Sequence, residues 1–280
     1  GGGQMSGRRA AIAGFVAALL IPFVASAAYA DPRVYTSPTP AADWTVTIGG
    51  EARLEPIFQG SKRDLVLPYP ILAVRRFGTP EPFRGPRDGV SIGLFGDNVF
   101  QVGPVGQLRM PRRQNLDGAL QGLGNVPWAI ELGVFAEYWM VPWLRTRVEV
   151  RQGFNGHHGI VSDIFVDAVV PVGTQWTFSG GPRVTLASTA ATSPYFGINA
   201  AQSAASGLPL FDAKGGVRSV GAGTQARYSW TPQFATHAFV EYERLNGDAA
   251  SSPLVEQRGT PNQFTFGIGA THSFDIKSPW

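Results

Sequence analysis

The stretch Leu144-Arg145-Thr146-Arg147-Val148-Glu149-Val150-Arg151 decides the fold. Its even positions are Leu, Thr, Val and Val; its odd positions are Arg, Arg, Glu and Arg. A helix would scatter those charges around its circumference, whereas a strand sets them all on one face, because strand side chains alternate with a period of two. The alternation continues outward in both directions. Trp128, Ile130, Leu132, Val134, Ala136 and Tyr138 share one face, with Glu131 and Glu137 on the other. Ile160, Ile164, Val166 and Ala168 oppose Asp163 and Asp167. Trp176, Phe178, Val184 and Leu186 oppose Thr177, Ser179, Arg183 and Thr185. Val220, Ala222, Ala226 and Tyr228 oppose Ser219, Gln225 and Arg227, and Phe234, Ala238, Val240 and Tyr242 oppose His237, Glu241 and Glu243. Phe264, Phe266, Ile268, Ala270 and Phe274 close the series.

Composition narrows the class. Among 280 residues, charged side chains make up 15%, well under the roughly 25% of an ordinary soluble domain. There are 35 Gly, 22 Pro and no Cys. Without Cys there is no disulfide framework and no thiolate metal site. The balance of 23 basic against 20 acidic residues is too even for a nucleic-acid partner. Few charges at near-zero mean hydropathy leave a Gly/Pro-rich soluble β fold or a membrane barrel whose apolar residues are diluted by alternation.

The N-terminus reads as an export signal. Gly1 to Gln4 precede the first Met as a remnant. From Met5, Arg8 and Arg9 form a positive region, Ala10 to Val24 are apolar, and Ala28-Tyr29-Ala30 is a small-x-small cleavage site before Asp31. The apolar run is shorter than the roughly 18–20 residues a spanning helix needs. The expected organisation is a remnant over 1–4, a signal peptide over 5–30 with cleavage between Ala30 and Asp31, and one barrel domain over 31–280. Losing residues 1–30 removes two Arg and no acid, leaving 21 basic against 20 acidic residues.

Tight turns rich in Pro, Gly and Asn fall at Gly96-Asp97-Asn98, Val141-Pro142, Pro171-Val172-Gly173 and Thr231-Pro232. Between them lie long polar connections near 111–127, 152–159, 189–215 and 247–261. Short periplasmic turns with longer outer loops are the habit of outer-membrane barrels. Trp128, Tyr138, Trp139, Trp143, Trp176, Tyr228, Trp230 and Phe234 flank the tight turns as an interfacial girdle. A β-sandwich also alternates, but its outer polar faces would not cluster Arg and Glu on neighbouring strands. The last strand ends in an aromatic, Phe274, the kind of terminal signal that outer-membrane assembly reads, although Asp275 to Trp280 follow it. The expected fold is therefore all-β: a transmembrane antiparallel up-and-down β-barrel behind a cleavable signal. Eleven strands can be placed, near 43–54, 64–77, 88–95, 99–110, 128–138, 142–152, 158–170, 174–187, 216–230, 233–245 and 262–275. Single-chain bacterial barrels have even counts, so a short strand near Pro82 to Arg84 brings the number to twelve, with ten as the alternative.

Alternation assigns one charged set to the lumen: Glu131, Glu137, Arg145, Arg147, Glu149, Arg151, Asp163, Asp167, Arg183, Arg227, Glu241 and Glu243. An Arg on the lipid face at mid-depth would cost about 2–4 kcal/mol. Both signs occur on adjacent strands, which favours mutual neutralisation in a filled or narrowly open interior over selectivity rings. In the long 189–215 connection, Asn199 to Ser206 has helix-compatible composition with Gly207 as a stop, and the segment is placed to fold over the barrel mouth.

Several stretches resemble the MipA/OmpV family, the MltA-interacting outer-membrane proteins, from about Trp44 to Phe274. They are Pro68-Tyr69-Pro70, Gly103-Pro104, the run Arg151-Gln152-Gly153-Phe154-Asn155-Gly156-His157-His158-Gly159, Asp163 and Gly181-Pro182-Arg183. They continue with YFGINAAQSAASGLPLFDAKGG from Tyr195 to Gly216, Arg218-Ser219-Val220-Gly221, the segment from Tyr242 to Pro253, and the final NQFTFGIG strand. The chain departs from the pattern in its six-residue tail after Phe274 and in Asn155, where Gly is expected. The resemblance implies a non-enzymatic barrel in the outer membrane of a Gram-negative bacterium. It also implies a scaffold role that joins a periplasmic murein transglycosylase to a murein synthase. Other members resemble narrow porins or adhesins.

The same resemblance makes Gly156, His157, His158 and Gly159 a Gly-bracketed surface turn, with Gly permitting positive φ. Neighbouring His side chains at a strand head point to opposite faces, so they are not expected to share an ion, and zinc needs three or four converging ligands. His272-Ser273 resembles the His/Ser pairing of outer-membrane lipid hydrolases, but neighbours on a strand face opposite ways and no nucleophile elbow is present. No catalytic residue, cofactor or metal is expected; the expected contacts are outer-membrane lipids and periplasmic protein partners, and no nucleic acid.

Overall fold

Residues 42–277 are described by a computed structural model. The proposed signal and its Ala30/Asp31 cleavage site lie outside these described residues. The alternating segments pair into one antiparallel sheet of twelve strands. The strands are β1 (Trp44–Pro56), β2 (Asp64–Arg76), β3 (Val90–Ser91), β4 (Phe95–Gly96), β5 (Phe100–Arg109) and β6 (Ala129–Val141). They continue as β7 (Leu144–Asn155), β8 (Ile160–Val172), β9 (Trp176–Ala187), β10 (Gly216–Ser229), β11 (Phe234–Leu245) and β12 (Asn262–Ile276). Each long strand pairs with its neighbour in sequence, and β1 pairs with β12 from Trp44↔Ile276 to Leu54↔Phe266. That pairing curls the sheet almost into a closed cylinder. The ten long strands run 10 to 15 residues, enough for the roughly 9–11 residues of a tilted membrane-crossing strand. Among the described residues no helix is long and apolar enough to cross a membrane.

The sheet is inside-out relative to a soluble protein. Along β7 the odd residues Arg145, Arg147, Glu149 and Arg151 are buried. Along β6 the even residues Ile130, Leu132, Val134 and Tyr138 are exposed. Charge points inward and apolar side chains point outward, as a lipid solvent demands.

The two ends differ. At one end β6 and β7 are joined by Pro142 and Trp143 alone, and the β8–β9 and β10–β11 turns, 173–175 and 230–233, are nearly as short. The start of β1 and the end of β12 lie at this end. At the other end the connections carry α1 (Thr189–Phe196), α2 (Ala200–Ser206), α3 (Gly247–Ser251), α4 (Pro253–Arg258) and a 3-10 turn over Gly118–Leu120. Helix α2 follows the expected segment: Asn199 and Gln202 cap each other's backbone, and Gly207 ends it at φ 76°. The other short helices carry no comparable capping pattern in sequence.

The region between β2 and β5 departs from expectation. Residues 82–84 form no strand, and the segment expected as one strand over 88–95 is reduced to the dipeptides β3 and β4, both paired with β5. The twelfth strand thus arises by splitting a segment, while residues 77–89 turn into the barrel.

Candidate functional site

The lumen is built first from the wall strands. Antiparallel register sets Arg145 opposite Asp167 and Arg147 opposite Glu137, so opposite charges meet at these positions; Glu149 faces Asp163, two like charges that Arg151 bridges. Arg145 donates to Glu137 and Asp167, each at 3.0 Å. Arg147 donates to Glu149 at 2.8 Å and Glu137 at 3.2 Å. Arg151 donates to Glu131 at 3.0 Å, to Asp163 at 2.5 Å, and to Glu149. Arg183 reaches Asp167 at 2.7 Å and Glu241 at 3.3 Å. Arg145 and Glu149 are 0% exposed. A charge so buried is tolerable where its partners are present, because an unpaired ion there carries a desolvation cost of several kcal/mol.

The wall set holds seven carboxylates against five guanidiniums. The inward segment supplies a further cation, Arg87, which sequence reasoning did not find. Arg87 contacts Glu243 at 2.6 Å and Asp163 and Glu241 at 3.7 Å each, and donates to Thr185 at 3.2 Å. Its neighbours continue the bridge. Asp88 accepts from Arg145 at 2.5 Å, and the Gly89 N–H donates to Glu149 at 3.1 Å. Arg53 donates to the Pro86 carbonyl at 3.0 Å, Gln225 to the Arg84 carbonyl at 3.2 Å, and Arg227 to Glu81 at 2.7 Å. Residues 81–89 are therefore anchored on β1, β7, β8, β9, β10 and β11 at once. The sequence signal was a Pro-, Gly- and charge-rich stretch at an end where other turns are tight. Below this segment, at the tight-turn end, a cavity of about 440 Å³ remains.

The opposite end is covered by a folded cap. Val126, Tyr195, Phe196, Ala213, Leu245, Ala249 and Val255 form one buried apolar cluster. Phe58, Leu120, Leu123, Ile198, Leu208 and Leu254 form a second. Polar ties join the same loops: Arg112 donates to the Tyr195 carbonyl at 2.7 Å, and Ser252 to the Phe196 carbonyl at 2.7 Å. Burial holds the Arg112 guanidinium down to about 10 and pushes the Tyr195 hydroxyl up, since each would be charged in a poorly solvated place.

The family-motif turn behaves differently from the surface turn expected. His157 is buried, with Nε2 3.0 Å from Glu131 and its ring edge-on to Tyr195. Nδ1 accepts from the Gly159 N–H at 3.3 Å, which leaves Nε2 to donate to Glu131. His158 is exposed. Positive φ falls on Asn155, at 74°, and not on Gly156 or Gly159. Asn is the non-glycine residue best suited to that region, which accounts for its standing where Gly was expected. The glycines serve close approach: a Cβ on Gly156 would meet the Pro127 carbonyl at 2.4 Å, and one on Gly159 the Ala191 nitrogen at 2.1 Å.

The remaining sites are placed as follows. Phe274 is exposed on the outer face of β12, beside the His272 ring at 4.4 Å. Ser273 faces inward, its hydroxyl 2.7 Å from Thr47. His272 and Ser273 thus turn to opposite faces. Two aromatics leave the expected girdle. Trp128 sits at the capped end, next to the first residue of β6, and Trp139 turns inward to donate to Glu137 at 3.1 Å. Trp176, Tyr228 and Trp230 remain as an outer cluster with centroids 4.8 and 4.7 Å apart. Among the described residues, no three His, Asp or Glu side chains gather as a metal site. A bulge in β10 between Val217 and Ser219 turns Arg218 inward as well.

The family described as MltA-interacting protein MipA matches residues 48–274. No curated protein sequence matches the chain. Among solved structures, the chain is similar to the COG4313 outer membrane channel from Pseudomonas putida F1, at TM-score 0.42 and 12% identity, covering 88% of this chain and 100% of that one. It is similar to the KdgM porin at TM-score 0.41 and 9% identity, covering 81% and 99%. It is similar to the NanC porin at TM-score 0.40 and 11% identity, covering 81% and 98%.

Proposed function

Because the chain belongs to the MltA-interacting protein MipA family of outer-membrane β-barrels, we propose that it is a non-enzymatic scaffold that holds a periplasmic murein transglycosylase and a murein synthase at the outer membrane. The observation that carries this reading is the occupied lumen. The wall carboxylates and guanidiniums are committed to one another, residues 81–89 cross between the walls, and the cap covers one end. Charges engaged in this way support a role in binding at the surface over one in solute passage. The partner-facing surface is the tight-turn end, where Pro142-Trp143, the turn after β8, the turn after β10 and both barrel termini meet.

Crosslinking in intact cells followed by purification of the barrel tests this directly. Recovery of a lytic transglycosylase, lost when the three tight turns are exchanged for Gly-Ser turns of equal length, is the expected result. Recovery undiminished by the exchange would remove the turns from the interface. Stable unit conductance of the purified barrel in planar bilayers would instead support a narrow channel.

A further inference from the structure

The cylinder has a seam. Among the described residues no backbone hydrogen bond joins β2 to β3 or β4, so β2 is one free edge of the sheet and the β3–β4 side is the other. The sequence keeps it that way. Pro68 and Pro70 sit in β2 opposite Ala52 and Gly50 of β1. Proline has no N–H, and within a sheet it fits where that N–H would face away from the paired strand. Both prolines therefore withdraw donors from the free edge, which prevents it from zipping to a neighbour.

The 440 Å³ cavity lies against this seam. Its lining takes Leu72 and Val74 from one edge and Val90 and Gly93 from the other. Leu72, Val74 and Val90 are also exposed on the outer face, at 57%, 51% and 60%. The space inside the barrel is thus continuous along the seam with the surface that meets lipid, and its volume falls within the ~300–1,000 Å³ of small-molecule pockets.

Charge completes the case. The carboxylates lining the cavity already have cations: Glu51 has Arg53, with His237 hydrogen-bonded beside it, Glu81 has Arg227, Asp88 has Arg145, and Glu137 has Arg145 and Arg147. Two further lining cations, Arg75 and Arg84, make no direct ion pair among the described residues; Arg75 reaches only the Thr79 carbonyl and the Thr47 hydroxyl, and Arg84 feels Asp88 and Glu51 only at longer range. A half-buried guanidinium that bonds no carboxylate directly keeps its donors for an incoming anion. The cavity lies at the tight-turn end, which faces the periplasm in outer-membrane barrels, and so at the depth of the inner leaflet.

We propose that the β2/β3–β4 seam is a lateral portal through which the cavity takes an amphiphile with an anionic phosphate head and an apolar chain from the inner leaflet. Arg75 and Arg84 hold the head, and the chain lies between Leu72, Val74 and Val90. The occupant is a membrane lipid and not a free anion.

The test is the binding of radiolabelled dodecyl phosphate to the full barrel in phosphatidylcholine nanodiscs, counted against empty nanodiscs. Saturable binding is expected, falling at least tenfold in the Arg75→Gln/Arg84→Gln double variant; unchanged binding there overturns the head-group assignment. Inorganic phosphate at equal concentration should not displace the probe. Equal displacement identifies a free-anion site and overturns the lipid assignment, and equal displacement by dodecyl maltoside overturns head-group recognition. The chain has no Cys, so Ala73→Cys/Ser91→Cys can be bridged across the seam by a reducible bis-methanethiosulfonate. Bridging should abolish binding, and reduction should restore it on the same folded molecule. Unchanged binding in the bridged barrel overturns the portal even if the Arg variants fail to fold.

Discussion

Glu149 is the residue on which the lumen network turns. Its two oxygens accept from Arg147 and Arg151 and from the Gly89 N–H, and the side chain is fully buried. Removing it leaves two guanidiniums short of a partner where water does not reach. Breaking a buried pair from one side costs about 3–5 kcal/mol, so Glu149→Ala should lower folding stability by that order. Arg227 pairs with Glu81 where both side chains are about a third exposed, and pairs of that kind contribute about 0–1 kcal/mol. Urea unfolding in lipid vesicles checks both: a large loss for Glu149→Ala beside a small one for Arg227→Gln is expected, and equal losses would deny the network its hierarchy. The inward direction of Glu149 could be read from alternation. The identity of its third partner could not, because Gly89 lies 60 residues away on a segment with no periodicity.

At the scale of elements, the inward segment and the cap behave as separable devices. Residues 81–89 make nearly all their contacts with distant strands, as the 156-residue separation of Arg87 and Glu243 shows. In sequence such a stretch looks like any Pro/Gly-rich loop, because nothing local encodes where it goes. Exchanging residues 78–88 for a short Gly-Ser turn removes Glu81, Arg84, Arg87 and Asp88 and leaves the wall set's seven carboxylates facing its five guanidiniums without the bridging segment. Planar-bilayer recordings of that variant should show unit conductance with cation preference, where the parent shows none; a silent variant would mean that other groups fill the lumen. Of the cap, the sequence reading had only the 189–215 segment over the mouth and its helix up to Gly207; the other helices escaped it for a related reason. Helices of five to eight residues are too short to hold by propensity and depend on tertiary packing. Leu254 is 1% exposed in the cluster beneath α4, and Leu→Ala at such a site costs about 2–5 kcal/mol. For Leu254→Ala the loss should be confined to the cap. Limited proteolysis should cleave within 189–215 and 246–261 while the strands stay protected, and loss of strand protection would show that cap and barrel unfold together.

For the whole molecule, the ordering of its solvents decides what the sequence can reveal. Each long strand meets lipid on one face and a charged interior on the other, so the period of two is strong, and ten long strands fall close to where alternation places them. The signal fails where both faces lose that contrast. Residues 77–96 turn away from the lipid or pair over two residues at a time, and there the expected strands at 82–84 and 88–95 dissolve. The same logic gives the energetic test of orientation. Val134 stands at the middle of β6 with its side chain outward, 58% exposed, and Phe135 beside it points inward, under the Arg147 guanidinium at 4.1 Å. An arginine on the outer face would hold its charge at mid-depth in hydrocarbon, at a cost of about 2–4 kcal/mol, falling to about 0–1 kcal/mol near either interface. Val134→Arg should therefore destabilise the barrel in vesicles by the larger amount, and Tyr138→Arg, close to the tight-turn rim, by the smaller. In a detergent micelle the difference between the two should shrink, because the micelle offers no fixed depth. Equal losses in vesicles at both positions would mean that this face does not meet a bilayer, and the inside-out assignment of the strands would have to be abandoned.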